Sequence, residues 1–181
     1  MSTSERDAFG FAPDHDEPIP YRKRIRDYYV GLGYGRPYEW AHYADVPFTP
    51  LKKPVARMRV ALVTTAAPFK EGAGEQGPGA PYNNAAKFFN VFSGDSAKDH
   101  DLRVSHIGID RKHTTAEDKN TWFPLPALRD AAAKGLVGEV APRFHGLPTN
   151  RSHKTTLDID CIELLARLQE DRAEAVLIAG N

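Results

Sequence analysis

Residues 58–65 of this chain read MRVALVTT, and the breaker-rich sequence Ala-Ala-Pro follows directly. A run of β-branched and aliphatic residues bounded by breakers is typical of a strand buried inside a parallel sheet. In open α/β sheets, ligands bind beyond the carboxyl ends of such strands. The stretch therefore predicts a central strand that presents Thr64 and Thr65 to a ligand site.

The same pattern recurs in residues 175–181, which read AVLIAGN. Residues 156–172, which precede it, have the spacing of an amphipathic helix. The apolar face of that helix would consist of Leu157, Cys161, Leu164, Leu165 and Leu168. A strand, a helix and a second parallel strand predict an α/β fold with a mainly parallel sheet sandwiched by helices.

Between these stretches the sequence predicts a strand over residues 102–107 and a helix over residues 126–134, which begins with proline and is followed by glycine. Residues 143–154 are basic, contain two histidines and are predicted to form a loop. Long Gly/Pro-rich loops would connect the elements, and residues 69–82 are the clearest of them.

Three parts are predicted along the chain. Residues 1–20 are polar and proline-rich, which is typical of an arm that is ordered only when it packs on something. Residues 21–57 would combine a helix with an aromatic N-terminal belt, which could wrap the domain or, as we prefer, form a subunit interface. Residues 58–181 would form the α/β domain.

The charge balance bears on partners and location. The chain has 24 basic and 24 acidic residues, so its formal net charge is zero. We therefore expect no nucleic-acid partner and no membrane partner. The sequence has no apolar run near the length of a membrane span and starts without a hydrophobic signal core, so the simplest expectation is a cytoplasmic protein. The single cysteine, Cys161, excludes an internal disulfide, and on an apolar helix face it would behave as a small hydrophobe.

Several polar residues are predicted to gather at the carboxyl edge of the sheet. They are Thr64, Thr65, His106, Asp110, Asp118 and Asn120. His106 would stand at the end of a strand, where its imidazole and the carboxylate of Asp118 could act as a general acid/base pair or position a substrate amine. A loop histidine satisfied by backbone groups is the alternative.

No metal site is predicted. His113, His145 and His153 could join His106, but none of them forms the tight helical pair of a zinc motif, so the spacing is not diagnostic. The sequence leaves open whether a metal binds these histidines. It also contains no nucleophile elbow and no phosphate-binding loop.

Three stretches of the chain resemble a known family: residues 59–68, residues 101–146 and residues 160–181. The most specific pieces are Ser105-His106, the motif Asp118-x-Asn120-x-x-Phe123-Pro124-Leu125, and the turn Gly135-x-x-Gly138. From about residue 21 to residue 181 the chain resembles the glycine/sarcosine/betaine reductase selenoprotein B and D-proline reductase family. It resembles the selenium-free relatives from aerobic bacteria more closely.

The resemblance implies that a catalytic selenocysteine or cysteine comes directly after the strand that matches AVLIAGN. Related substrate-binding subunits are released by self-cleavage before a cysteine that becomes a pyruvoyl group, and an Asn-Cys junction suits such a break. We therefore expect cleavage after Asn181, with a partner chain that begins at the next residue and carries a cysteine or a Cys-derived pyruvoyl group. Simple truncation of a longer chain is the alternative.

The resemblance further implies a reductase-like enzyme, built as an oligomer of heterodimers, that cleaves a carbon–heteroatom bond of a small amine or amino-acid-like substrate. His106 and Asp118 would move protons, and Asn181 would flank the reactive terminus. The substrate would be bound by Thr64, Thr65, Asp110 and Asn120. Because these residues include no selenocysteine and no redox dithiol, a non-reductive (hydrolytic) enzyme using the same site and a non-catalytic structural subunit stay open.

Overall fold

The computed structural model describes residues 20–35, 41–68, 90–104, 118–148 and 152–180, and every structural statement below concerns these residues. The chain divides into two compact units, Met1–His42 and Tyr43–Asn181. The first unit contains helix α1 (Tyr21–Gly31), which confirms that residues 21–57 include a helix. Its side chains are not buried, and an ion pair between Lys23 and Asp27 links successive turns.

The second unit is built around strand β1 (Arg59–Thr64), which confirms the strand predicted from MRVALVTT. All of its residues except Arg59 are buried, and Ala61, Leu62 and Val63 have no exposed surface. Such complete burial requires neighbours on both edges and cover on both faces, which is why its side chains form a continuous apolar run.

Both edges of β1 are paired with parallel strands. On one side lies β7 (Ala175–Ala179), with Val60 opposite Ala175 and Thr64 opposite Ala179. On the other side lie β5 (Glu139–Val140) and β6 (Arg143–Gly146). The chain is therefore a mixed α/β protein with a mostly parallel sheet, as predicted.

Strands β5 and β6 occupy the same edge of β1 and differ in register. Arg59 lies opposite Glu139, and Val63 lies opposite His145, so two extra residues are inserted between the two strands. The inserted residues are Ala141 and Pro142, and they form a bulge. Pro142 has no backbone N–H and cannot donate a hydrogen bond to a neighbouring strand.

The remaining strands are short. Strand β3 (Phe92–Asp95) pairs antiparallel with β6 and forms the far edge of the sheet. Strands β2 (Ala67–Pro68) and β4 (Leu102–Arg103) form a separate two-stranded antiparallel ladder. The strand predicted over residues 102–107 is therefore present in its first part, and residues 105–107 lie outside the described residues.

Two hydrophobic clusters contact alternate residues of β1, because successive side chains of a strand point to opposite faces. One cluster joins Leu62 to Leu125 and Leu128 of helix α2 (Leu125–Ala133). The other joins Val63 to Leu164 of helix α3 (Cys161–Glu170). Helix α2 confirms, to within one residue, the helix predicted over residues 126–134.

The helical segment before β7 differs from its prediction in detail. It begins with one α-turn (His153–Thr155), continues as a π-helical turn (Thr156–Asp160) and only then becomes α3. The wider turn shifts Leu157 relative to the residues of α3, and within α3 the buried face is narrower than predicted, so the predicted apolar face is wrong in part. Leu164 is buried and Leu168 is half-buried, whereas Leu157, Cys161 and Leu165 are exposed.

The loop predicted over residues 143–154 is also wrong at its beginning, because residues 143–146 form β6. Phe144 packs in the apolar cluster beside β1, and His145 is buried with hydrogen-bond partners for both ring nitrogens. Arginine and histidine made the segment look like a solvated loop, although polar side chains with partners are compatible with a buried strand.

We expect Gly138→Ala to lower the free energy of unfolding by about 1–3 kcal/mol, because the added Cβ would overpack a backbone contact. It would lie 2.7 Å from the backbone nitrogen and oxygen of Met58, which leads into β1. Gly180→Ala is the matched control, since nothing lies within 4 Å of its Cβ. Urea denaturation measures both, and equal stability of the two variants would contradict this packing.

Candidate functional site

The carboxyl ends of three parallel strands meet at one edge of the sheet. Thr64 ends β1, Gly146 ends β6 and Ala179 ends β7, and the register places all three side by side. The backbone continues this alignment beyond the strands. Thr65 donates its N–H to the Ala179 carbonyl at 3.3 Å, and Leu147 donates to the Thr64 carbonyl at 2.9 Å. The edge predicted for the site therefore exists.

The hydroxyl of Thr64 is used within the fold. Its Oγ1 donates to the Trp122 carbonyl at 3.1 Å and accepts from the Ala66 N–H at 3.1 Å. The side chain has no exposed surface, so these bonds satisfy a buried polar group. Thr64 thereby fixes the turn after β1, whereas Thr65 is only half-buried at the edge.

Asp118 and Asn120 form a local capping arrangement. The Asp118 carboxylate accepts from the backbone N–H and the side-chain amide of Asn120, at 2.9 and 3.1 Å. Asn120 Oδ1 accepts from the N–H of Ala127 at 3.2 Å, in the first turn of α2. The first N–H groups of a helix have no partner within it, so this bond supplies one. Both side chains are exposed.

The structure brings some of the predicted site residues together. Asp118 and Asn120 lie on the turn that leads directly to Trp122, and the Trp122 carbonyl is the acceptor for Thr64. The turn is therefore attached to the end of β1, next to Thr65. His106, Asp110 and Asn181 lie outside the described residues, so their places at this edge stay predictions.

A second polar cluster, which the sequence did not predict as a unit, lies between the sheet and α3. His145 has no exposed surface and stands between two partners. Its Nε2 is 3.0 Å from Asp171 Oδ2, and its Nδ1 is 2.8 Å from Ser93 Oγ. The residues come from β6, β3 and the end of α3, so spacing along the chain gives no signal for them.

Two arginines decide how protons are arranged in this cluster. Arg167 Nη1 donates to Ser93 Oγ at 2.6 Å, so the serine proton is directed to Nδ1 of His145. The single ring proton of neutral His145 is then on Nε2, which donates it to Asp171. Arg143 Nε donates to the second oxygen of Asp171 at 2.8 Å. Every group has a partner when His145 is neutral.

Electrostatics favour that neutral state. Burial lowers the pKa of His145 because the charged imidazolium loses its hydration, and the positive charges of Arg143 and Arg167 lower it further. Asp171 acts in the opposite direction without cancelling the effect of burial on the pKa. The Ser93–His145–Asp171 contacts therefore form a buried hydrogen-bonded network with one preferred proton arrangement.

The network also holds the connection that leads into β7. The Asp171 carbonyl accepts from Arg59 Nη1 at 3.0 Å, and Arg143 Nη2 lies 2.9 Å from Glu170. Arg143 thus binds carboxylates of its own chain. Because Arg59 begins β1 and Asp171 ends α3, these contacts fix where β7 starts.

A cleft of about 340 Å³ lies at the bulge between β5 and β6. It is lined by Asp95, Ser96, Ala97, Arg129, Val140, Ala141 and Pro142. Arg129 is held there by the carbonyls of Ser96 and Lys98 and by Asp99. The cleft contains none of the residues predicted for the site.

Metal binding has no support from this part of the chain. Among the described residues, no group of three or more His, Cys, Asp or Glu side chains is arranged to hold a metal ion. His145 has both ring nitrogens engaged, and His153 is exposed at the start of a helical turn. His106 and His113 lie outside the described residues.

No protein-family model matches the chain, and searches of curated proteins and of solved structures find no match either. The family resemblance therefore stays a prediction. None of the helices within the described ranges is long and apolar enough to cross a membrane.

We expect the protein to lose stability as the pH falls below about 6.5, the usual pKa of histidine. The folded-state pKa of His145 is lowered, so between that value and about 6.5 the unfolded chain binds more protons, and unfolding is favoured by up to about 1.4 kcal/mol per pH unit. Urea denaturation between pH 5 and pH 7.5 measures this slope.

His145→Gln removes the titrating group and should abolish the slope, whatever its effect on stability at pH 7.5. His153→Gln is the matched control, because His153 is exposed, and this variant should keep the slope. An unchanged slope in His145→Gln would show that another group causes the pH dependence.

Proposed function

We propose that this chain is one subunit of a reductase-like enzyme that cleaves a carbon–heteroatom bond of a small amine or amino-acid-like substrate. A partner chain, released by cleavage after Asn181, would supply a cysteine or a Cys-derived pyruvoyl group. The proposal rests on the family resemblance of the sequence and on one structural observation, the parallel pairing of β1 with β7.

That pairing supports a shared site at the carboxyl edge. Ala179 accepts a hydrogen bond from Thr65, so the backbone that leaves β7 starts beside Thr65. At about 3.3 Å per extended residue, a group three residues beyond Ala179 could stand within roughly 10 Å of Thr65. A reactive group there would be within reach of the turn that carries Asp118 and Asn120.

A pyruvoyl group on the partner chain would supply a carbonyl that is reactive toward the substrate amine. Reductive cleavage then needs two electrons, which a dithiol supplies as it becomes a disulfide, and two protons for the separating fragments. His106 and Asp118 would move those protons. Thr65, Asp110 and Asn120 would bind polar groups of the substrate, and Thr64 would hold the edge through its bond to Trp122.

The wider organisation belongs to the same proposal. It comprises a sheet sandwiched by helices, an aromatic belt at a subunit interface, an oligomer of heterodimers, and a cytoplasmic location without nucleic-acid or membrane partners. Three residues of the second unit support the belt, because Tyr43, Val46 and Phe48 expose 59%, 78% and 88% of their surface to solvent. Exposed aromatic and aliphatic side chains this close together in the sequence are typical of interaction surfaces.

A non-catalytic structural subunit is the second candidate, and one observation favours it. The side chains of Asp118 and Asn120 already have hydrogen-bond partners in their own chain, as helix and turn caps do. A hydrolytic enzyme that uses the same site is the third candidate. Activity that does not depend on a thiol reductant would favour it.

We expect Asp118→Asn to lower kcat of the full enzyme at least about 100-fold in an assay with a dithiol reductant and a panel of small amines, because the carboxylate proton carrier is lost. An asparagine oxygen can still accept from the Asn120 N–H, so the free energy of unfolding should change by less than about 0.5 kcal/mol.

Asp118→Ala provides the comparison, because it removes both the carboxylate and the cap. Full activity of Asp118→Asn would assign Asp118 to structure alone and favour the non-catalytic subunit. Equal activity with and without dithiol would instead favour the hydrolytic enzyme.

A further inference from the structure

Strand β7 has an outer edge without a neighbour among the described residues. It pairs with β1 along residues 175–179, and no other described strand joins it. Its side chains are also incompletely covered, since Val176, Leu177 and Ile178 expose 40%, 42% and 67% of their surface. Parallel strands are normally covered on both faces, so this exposure needs an explanation.

The composition of β7 differs from that of an edge strand. Protein edges usually carry charges, prolines or bulges that prevent pairing with other chains. Strand β3, which forms the opposite edge, has the sequence FSGD and ends with an acidic residue. Strand β7 has the sequence AVLIA, without any polar residue. This edge is therefore suited to pairing.

The sequence of β7 is nearly symmetric about its centre. Alanines stand at both ends, Val176 and Ile178 flank the middle, and Leu177 lies at the centre. Two antiparallel copies related by a two-fold axis at Leu177 would place Val176 opposite Ile178 and Leu177 opposite Leu177. Self-complementarity of this kind is what an isologous dimer interface requires.

The backbone supports the same register. The Ala179 carbonyl points to β1, where it accepts from Thr65. The backbone N–H and C=O groups of every second residue point to the same side of a strand, so those of Leu177 also point to β1. The N–H and C=O groups of Val176 and Ile178 point to the outer edge. In the symmetric pair, Val176 and Ile178 would exchange hydrogen bonds, and the two Leu177 residues would form a close, non-hydrogen-bonded pair.

The surroundings are compatible with a second copy. Glu174, the nearest acidic residue, would lie opposite Gly180 of the other chain, so like charges do not meet, and it is already paired with Lys53 at 2.7 Å. Ile162 and Leu165 of α3 expose 64% and 56% of their surface and offer further apolar area. Helix α3 and Val176 lie on the same face of the sheet as Val63.

We propose that two copies of this chain pair through β7, antiparallel about Leu177, so that their sheets join into one continuous sheet. The interface would include Ile162 and Leu165 of both copies. The pairing is independent of the proposed reaction, since it uses the outer edge of β7 and not the carboxyl edge of the sheet.

Cysteine cross-linking tests the register directly in the protein expressed from its complete gene, in a Cys161→Ser background. Covalent dimer formed by this background alone, through any cysteine beyond residue 181, is the baseline that is subtracted. Opposed residues at a non-hydrogen-bonded pair are about 4.5 Å apart at Cα, within the range of a disulfide. Under mild oxidation we expect Leu177→Cys to give about tenfold more covalent dimer than Leu136→Cys, which measures cross-linking by random collision. Leu136 is an exposed leucine on the turn after α2.

The neighbouring positions provide a register control. Val176→Cys alone should not cross-link with itself, because the two copies would be separated diagonally beyond disulfide reach, whereas a mixture of Val176→Cys and Ile178→Cys chains should form the mixed dimer. Efficient self-linking of Val176→Cys would overturn the proposed register. So would failure of Leu177→Cys to link in a protein that melts like the parent.

Sedimentation of the unmodified protein and of Leu177→Lys adds a test that does not depend on oxidation. We expect a dimer of this chain for the parent and for Leu136→Lys, and loss of that dimer for Leu177→Lys with an unchanged circular dichroism spectrum. A parent in which β7 is occupied by a different polypeptide, or a Leu177→Lys variant that keeps the full oligomer, would overturn the proposal.

Discussion

The burial of β1 is the constraint on which the rest of the described structure depends. A six-residue strand with almost no exposed surface must be hydrogen-bonded on both edges and covered on both faces, and each requirement fixes another element. Pairing with β7 and with β5 and β6 aligns the strand ends, and α2 and α3 contribute Leu125 and Leu164 to the two apolar clusters. The carboxyl edge, where the site is proposed, follows from this alignment.

Hydrogen bonds then fix the relative positions of elements, which apolar packing alone does not determine. At one place Thr64 holds the Trp122 backbone to the end of β1, and Asp118 and Asn120 cap the turn and helix on either side of it. Between sheet and α3, the neutral His145 links Ser93 to Asp171. A buried network in which every member has a partner is strongly directional, because leaving any donor or acceptor unpaired in the interior is costly.

Local patterns in the sequence were sufficient for the main elements of the fold, and long-range contacts explain where they were not. The apolar runs predicted β1 and β7, and proline and glycine punctuation predicted α2. The π-helical turn before α3 displaced Leu157 from the predicted face, and no periodicity rule anticipates such a turn. Cys161 and Leu165 keep the predicted spacing to Leu164 within α3 and are nevertheless exposed. His145 looked like a loop residue, because its partners Ser93 and Asp171 are distant in sequence. Residue type and the resemblance both suggested Asp118 and Asn120 for chemistry, and their capping bonds give the same spacing a structural reason.

The proposed function depends on a reactive group that a second polypeptide brings to the edge beside Thr65. Intact-mass measurement of the protein purified from its complete gene, with and without borohydride, tests this most directly. The account predicts two chains, one ending at Asn181 and the other gaining mass when borohydride reduces a terminal carbonyl. Two chains with an unmodified amino-terminal cysteine would keep the cleavage and replace the carbonyl by a thiol. A single uncleaved polypeptide would contradict the account.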